Sequence, residues 1–346
     1  MKKSILALAV AASTFVSVAQ ADGTTLYGSV RMHYRYDSNV NAPNVPAGAP
    51  SRSSSFIGDA GGPAVNASRF GIRGEEELGN GLTAFYQYEN RIGGTLGTRK
   101  ILGGLKGGFG SISIGRQDMP LFGMAVTDSY SDPFNVLTPG SSNEFTGTIV
   151  NSPNALVYWT PDMSGFQVGA GIVADGGTWS PRGMVGVGGT APAGVNIPNA
   201  AGNSAHVDMW QIVAQYNNNG IYAGLGYEKD NRDAQSQIDL GLGYGNDTFG
   251  VGLYAYKSDV GFTNYDPVFV RLGGNYNFSD SDSIYAGYAM YDTDTGVADD
   301  RSHQISLGYQ HNFSPRTWVW AEYMHDNPAF NAKSNNALSL GLRTDF

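Results

Sequence analysis

The feature that most constrains this chain is a repeated alternation of apolar and polar residues along segments of about 9–12 residues. In the segment 26–36, for example, Val30 and Met32 alternate with Arg31 and His33. The same alternation recurs in Val268–Phe278, Gln304–Phe313 and Leu338–Arg343. A period of two is typical of β-strands with one apolar and one polar face. We therefore expect an all-β protein.

Alternation alone fits two architectures. A soluble sandwich buries its apolar face in a core, whereas an outer-membrane barrel turns that face to lipid and keeps a polar lumen. These segments are about twice as long as soluble strands, which average about 5–6 residues. Tyr and Phe also recur at the ends of the apolar faces, as at membrane interfaces. The pattern therefore predicts a transmembrane antiparallel β-barrel.

The N-terminus has the pattern of a secretory signal peptide. Lys2 and Lys3 precede an apolar run from Ile5 to Val18, and Ala19–Ala21 provides a small-residue cleavage site. We expect cleavage after Ala21 and a mature barrel over residues 22–346. No later stretch approaches 18 consecutive apolar residues, so no membrane-spanning helix is expected.

Short and long connections alternate along the mature chain. Seven short turns are expected at 78–81, 107–110, 162–165, 217–220, 245–248, 279–281 and 312–315. Eight longer connections lie between them, and the two longest near the N-terminal half are 37–65 and 118–153. Fifteen alternating connections predict sixteen strands, with both chain ends on the short-turn rim. Fourteen or eighteen strands are the alternatives, because three segments are weakly patterned.

Composition excludes most other functions. The chain has no Cys, which removes disulfides and thiolate sites, and its five His show no metal-binding spacing. No G-x-S-x-G nucleophile motif is present. The net charge of −9 disfavours nucleic acid as a partner. We therefore expect no enzyme activity, cofactor or metal. For the alternative of a barrel enzyme, the neighbouring residues His325 and Asp326 are the only candidate catalytic pair.

Several motifs together resemble the Gram-negative general porins, in particular the neisserial and betaproteobacterial type. They are Leu26–Gly28, Ser68–Glu76, Gly79–Ala84, Gly103–Lys106, Gly110–Gln117 and Gly341–Phe346. The resemblance implies a homotrimer of sixteen-stranded barrels in the outer membrane of a Gram-negative bacterium. It implies passive diffusion of small hydrophilic solutes and ions through a water-filled pore. Loop three, the connection 118–153, would narrow this pore by folding into the lumen. A solute-specific channel is the alternative, and Trp318 and Trp320 would then be candidates for stacking on a sugar.

The C-terminal residue, Phe346, has a separate implied role. Leu338, Leu340 and Leu342 precede it at alternate positions, and only Thr344 breaks the apolar series. This ending looks like the motif that the barrel-assembly machinery reads, so that machinery and outer-membrane lipid are expected partners.

Basic residues on the polar faces are the first candidates for the pore lining. Arg31 lies on the polar face of the first expected strand, and Arg69 and Arg73 lie on the polar face of the second. Arg99 lies at the start of the fourth. An arginine facing lipid at the midplane costs roughly 2–4 kcal/mol, so these residues are expected in the lumen. The resemblance implies that Arg69 and Arg99 form part of a basic cluster on the barrel wall, with Glu89 close to them.

Acidic residues on loop three are expected to face that wall. The stretch 118–153 contains Asp118, Asp128, Asp132 and Glu144 and no Lys or Arg. Such a pairing would set a transverse field across the constriction.

One departure from the family pattern affects ion selectivity. The family often has a basic residue just before the sixth of the expected strands, which follows loop three. This chain has Thr148–Pro153 there. Without its signal peptide the chain carries 19 basic and 30 acidic residues, a net charge of −11. We therefore predict weak anion selectivity, or a preference for cations.

Overall fold

The computed structural model describes residues 23–39, 53–59, 67–92, 97–125, 130–140, 151–174, 207–231, 235–260, 265–330 and 332–346. Seventeen strands and one short helix are described. The strands are β1 (Thr24–Asp37), β2 (Ser54–Asp59), β3 (Arg69–Gly79), β4 (Leu82–Arg91), β5 (Gly97–Gly107), β6 (Gly110–Asp118), β7 (Asn151–Trp159), β8 (Phe166–Ala174), β9 (Val207–Asn218), β10 (Ile221–Asp230), β11 (Gln235–Gly245), β12 (Phe249–Val260), β13 (Val268–Asn277), β14 (Asp282–Asp292), β15 (Arg301–Ser314), β16 (Thr317–Asn327) and β17 (Asn335–Asp345). The helix, α1, is Pro120–Gly123.

The strands form one closed antiparallel sheet. From β3 onward each strand pairs with the next along the chain, and β17 returns to pair with β1. Because the sheet closes on itself, its backbone groups find partners without a free edge, as a lipid environment requires. The predicted antiparallel barrel is confirmed.

Seventeen strand segments fill sixteen positions in the wall. Both β2 and β3 pair with β1, β2 along Met32–Asp37 and β3 along Thr24–Ser29. They therefore occupy one interrupted position, and the predicted number of sixteen is confirmed. The prediction of one loop over the whole of 37–65 was wrong, because the C-terminal part of the long β1 needs a hydrogen-bonded neighbour and Ser54–Asp59 provides it.

The two faces of the wall are those that the alternation predicts. On β1, Val30 and Met32 are exposed on the outer face, whereas Ser29, Arg31 and His33 are buried on the inner face. All seven predicted short turns join consecutive strands. At the β3–β4 turn, Asn80 and Gly81 have φ of 53° and 74°. Two successive positive φ values suit an Asn-Gly hairpin.

Part of the predicted loop three packs against inward-facing residues. Leu121 and Met124 are fully buried in a cluster with Val213 of β9 and Tyr254 of β12. Further along, Gly140 N donates a 2.7 Å hydrogen bond to a side chain of β15. The described parts of 119–140 thus lie along the inner wall; residues 126–129 and 141–150 lie outside the described residues, as do residues 1–22 with the predicted signal peptide. Within the described ranges, no helix has the length and apolar character needed to cross a membrane.

Candidate functional site

Two arginines meet one glutamate on the inner face of the wall. Glu89 of β4 is 3% exposed, and its Oε1 accepts a 2.6 Å hydrogen bond from Arg99 Nε. Its Oε2 lies 3.9 Å from Arg69 Nε and accepts a 3.0 Å hydrogen bond from the Tyr27 hydroxyl. The structure therefore brings Arg69, Arg99 and Glu89 together. One carboxylate compensates two guanidinium groups, which leaves this part of the wall positive.

An irregularity in strand pairing gives Arg99 its inward position. Lys100 pairs with Glu89 and Thr98 with the following residue of β4, so Arg99 is the additional residue of a β-bulge. Ile101, two residues further along, is exposed on the outer face. In regular pairing Arg99 would share that face, and the bulge turns its side chain inward instead.

Arg73 joins this cluster through an aromatic ring. Its guanidinium carbon lies 5.1 Å from the ring centre of Tyr27, a cation–π distance. The Tyr27 hydroxyl accepts a 2.6 Å hydrogen bond from Gln87 Nε2 while it donates to Glu89. Tyr27 therefore links Arg73 to the carboxylate that holds Arg69 and Arg99.

Arg31 lies at the seam that closes the barrel. It is the direct cross-strand neighbour of Arg343 on β17, and its Nε donates a 3.1 Å hydrogen bond to Ser29 Oγ. Like charges directly opposite each other destabilise a sheet, and Asp345 offsets the repulsion with two 2.7 Å hydrogen bonds from Arg343. The sequence analysis missed Arg343, although the alternation in β17 already placed it on the inner face.

The predicted acidic residues occupy different places. Asp118 ends β6 and forms an ion pair with Lys100, beside the basic cluster rather than across from it. Asp128 and Glu144 lie outside the described residues.

Asp132 faces a different basic residue, Arg271 of β13. Its Oδ2 lies 3.9 Å from Arg271 Nη1. Its carboxylate also accepts a 2.8 Å hydrogen bond from Thr138 Oγ1. Burial raises the pKa of the Asp132 carboxyl, and Arg271 opposes that shift. Arg271 is itself buried and donates to Ser131 Oγ and to the carbonyl oxygen of Ala125. Sequence reasoning missed the role of Arg271, because no spacing relates it to the distant loop.

Glu322 of β16 is a further residue that sequence reasoning missed. It is 1% exposed, and its carboxylate accepts hydrogen bonds from the backbone N–H groups of Asn135, Val136 and Leu137 at 2.6, 2.9 and 2.8 Å. The Tyr285 hydroxyl donates a fourth bond at 2.9 Å. Three successive backbone N–H groups form an anion-binding concavity, so Glu322 attaches this part of the loop to the wall.

The two tryptophans that a sugar channel would use are already engaged. Trp318 Nε1 donates to Asn135 Oδ1 at 2.9 Å, and Trp320 Nε1 donates to Ser339 Oγ at 3.2 Å. The guanidinium carbon of Arg343 lies 4.5 Å from the ring centre of Trp318 and covers one face of that ring. Neither indole N–H is therefore free for a solute.

The residues that suggested a barrel enzyme do not form a pair. His325 and Asp326 are adjacent in β16, so their side chains point to opposite faces of the wall. His325 Nδ1 lies 2.9 Å from Asn336 Oδ1 instead. Among the described residues, no group of three or more His, Asp or Glu side chains is arranged to hold a metal ion.

Comparison with known proteins identifies the family. The model of the Gram-negative porin family matches residues 7–328. Outer membrane porin protein 32 of Delftia acidovorans is 29% identical over 99% of this chain and 93% of that protein. Major outer membrane protein P.IB of Neisseria meningitidis serogroup B is 26% identical over 81% of this chain and 90% of that protein.

A solved structure supports the fold independently. The anion-selective porin from Comamonas acidovorans superposes with a TM-score of 0.70 at 21% identity, over 93% of this chain and 99% of that one. The barrel geometry, the inward basic cluster and the family match over nearly the whole chain agree. This protein is a member of the Gram-negative porin family, the β-barrel diffusion channels of the outer membrane.

Proposed function

We propose that solutes cross this channel through a constriction between a basic wall and loop three. The wall consists of Arg31, Arg69, Arg73 and Arg99, and small hydrophilic solutes and ions are the cargo. The observation that carries the proposal is the convergence of Arg69 and Arg99 on the buried Glu89. Strands β1 and β3–β5 hold this wall, whereas the described parts of 119–140 pack against strands from β7 round to β17. The open path therefore runs along the basic side.

The acidic partners of the constriction are the second part of the proposal. Asp132 belongs to the loop edge and is compensated by Arg271, while Asp118 is compensated by Lys100. Asp128 and Glu144 remain candidates by sequence alone.

We propose that this pore has weak anion selectivity, or a preference for cations. Glu89, Asp345, Asp118 and Asp132 each compensate one basic neighbour, so the positive charge that a solute meets is smaller than the number of basic residues suggests. The Comamonas acidovorans porin is described as anion-selective, and we expect this chain to be less anion-selective than that porin. Reversal potentials of the purified protein in a planar bilayer at low salt test the proposal. A clear anion preference would contradict it.

The same recordings test the alternative functions. A general porin gives ohmic conductance that no single sugar blocks, whereas a solute-specific channel is blocked by its own solute. The Arg99→Gln variant sharpens the test, because loss of a wall charge shifts the permeability ratio towards cations only if Arg99 lines the path. An unchanged ratio would remove the basic wall from the proposal.

We further propose that the chain assembles as a homotrimer in outer-membrane lipid after delivery by the barrel-assembly machinery. The exposed apolar face of the wall suits lipid, and Phe346 closes the seam with backbone hydrogen bonds of 2.9 and 3.0 Å to Gly28. Conductance steps in groups of three and chemical crosslinking of native membranes test the trimer. Single independent steps without crosslinked trimers would contradict it.

A further inference from the structure

A set of inward-facing glycines lies directly beneath loop three. They occur on five different strands, at positions where the loop chain passes over the wall. We call them the glycine seat: Gly171 of β8, Gly224 and Gly226 of β10, Gly245 of β11, Gly273 of β13 and Gly287 of β14.

At each position a side chain would occupy the space that the loop now fills. A Cβ on Gly287 would lie 2.8 Å from the ring of Phe134 and 2.8 Å from Pro139. A Cβ on Gly171 would lie 2.8 Å from Met119 Cε. Since packed carbon atoms sit about 3.5–4.0 Å apart, the loop is as close to the wall as its backbone permits.

At Gly273 the loop and the wall approach each other backbone to backbone. A Cβ on Gly273 would overlap the carbonyl oxygen of Ser131, which cannot move by a change of rotamer. Arg271, two residues away on the same inner face, donates to Ser131 Oγ and holds this carbonyl against the wall. A substitution at Gly273 must therefore displace the loop backbone towards the lumen.

We infer that the glycine seat sets the width of the pore. Because glycines have no side chain, the loop packs directly against the backbone of β8–β14. The remaining lumen is therefore open along the basic wall. The inference rests on the proposed constriction and adds to it: the wall arginines contribute to the charge that a solute meets, and the glycine seat sets the size of solute that passes.

The first test is the Gly273→Ala variant, with Gly103→Ala as its control. Gly103 lies on the outer face between Tyr86 and Ile114, and a Cβ there has its nearest neighbour at 3.8 Å. We expect Gly273→Ala to lose single-channel conductance and to admit only smaller sugars in liposome swelling. The control should behave as the native protein. Equal conductance in the two variants would overturn the inference.

A second pair of variants separates narrowing of the pore from misfolding. A larger side chain in Gly226→Val would meet Leu121, whose methyl group already occupies the position of a Cβ. Adding Leu121→Ala removes the obstructing side chain, so the double variant should regain conductance. If Gly226→Val conducts as the native channel does, or if the double variant conducts no better than Gly226→Val, the inference fails.

The readouts distinguish this inference from the proposed constriction. The seat variants should change conductance while the cation-to-anion permeability ratio stays at the native value. Conversely, Arg99→Gln should change the ratio. A shifted ratio in Arg99→Gln with unchanged conductance in Gly273→Ala would retain the constriction and reject the seat.

Discussion

At the scale of single residues, the constriction that we propose centres on Glu89. Its carboxylate holds Arg99, lies near Arg69 and accepts a hydrogen bond from Tyr27. Parity along the strands and family resemblance predicted Arg69, Arg99 and Glu89 as neighbours. They did not predict the bulge that turns Arg99 inward, because a bulge depends on the pairing of two strands and not on either strand alone.

The Glu89→Gln variant tests the charge balance of this cluster. Removing the negative charge leaves two guanidinium groups uncompensated, so the permeability ratio should shift towards anions. The variant should also lose about 1.5–3 kcal/mol of unfolding free energy, because a charge-assisted hydrogen bond is weakened. Reversal potentials and urea titration in detergent measure the two effects. The control is Glu75→Gln, since Glu75 pairs with Lys106 at an exposed site; an equal shift in both variants would argue against a special role for Glu89.

At the scale of elements, the inner wall and loop three hold each other. Glu322 of β16 accepts hydrogen bonds from three backbone N–H groups of the loop, and Arg271 of β13 donates a hydrogen bond to the loop at a second place. Both attachments join residues more than a hundred positions apart in the sequence. Strand periodicity predicts that such side chains point inward, but it contains no information about which of them a loop reaches.

The Glu322→Gln variant should loosen the loop without altering the barrel. The amide keeps one acceptor oxygen but presents N–H groups to the donors of Asn135–Leu137. A loss of about 1.5–3 kcal/mol corresponds to amide exchange about 10–140-fold faster at these three residues. Hydrogen exchange followed by mass spectrometry measures this, and single-channel records should show more frequent brief closures.

The matched control for this variant is Glu76→Gln, which alters an exposed carboxylate of β3 away from the loop. Exchange in the strands should stay the same in both variants. Native exchange rates at Asn135–Leu137 in Glu322→Gln would show that the carboxylate does not hold the loop.

At the scale of the whole molecule, closure depends on the pairing of β1 with β17. Phe346 extends this seam, with its backbone hydrogen-bonded to Gly28 and its ring lying over the same glycine. The terminal residue therefore contributes to the folded barrel in addition to its predicted role in assembly.

The Phe346→Ala variant should reduce the amount of folded protein in the outer membrane several-fold. The backbone bonds remain, so the expected loss reflects recognition of the aromatic ring and its packing. Heat-modifiable mobility of membrane fractions on gels measures the folded fraction. Phe313→Ala removes another exposed aromatic ring, on β15, and serves as the control; similar folded amounts in the two variants would contradict the prediction.

The sequence by itself determined the class of the molecule. Period-two alternation and the succession of seven short turns and eight longer connections were sufficient to predict a sixteen-stranded barrel with apolar exterior and polar lumen, because each of these properties is local to a strand or a connection. The motifs in Ser68–Glu76 and Gly110–Gln117 added the family, and the parity of the strands placed Arg31 and Arg73 on the inner face.

Only the tertiary structure decided how the lumen is divided. The interrupted second wall position, the cross-strand pair of Arg31 with Arg343, and the attachment of the loop to Arg271 and Glu322 all arise when the sheet closes. Closure brings together side chains from strands that are far apart in the chain, and it decides which glycines lie under the loop. The pore charge and pore width that we propose depend on these long-range contacts, which the pattern of one strand cannot encode.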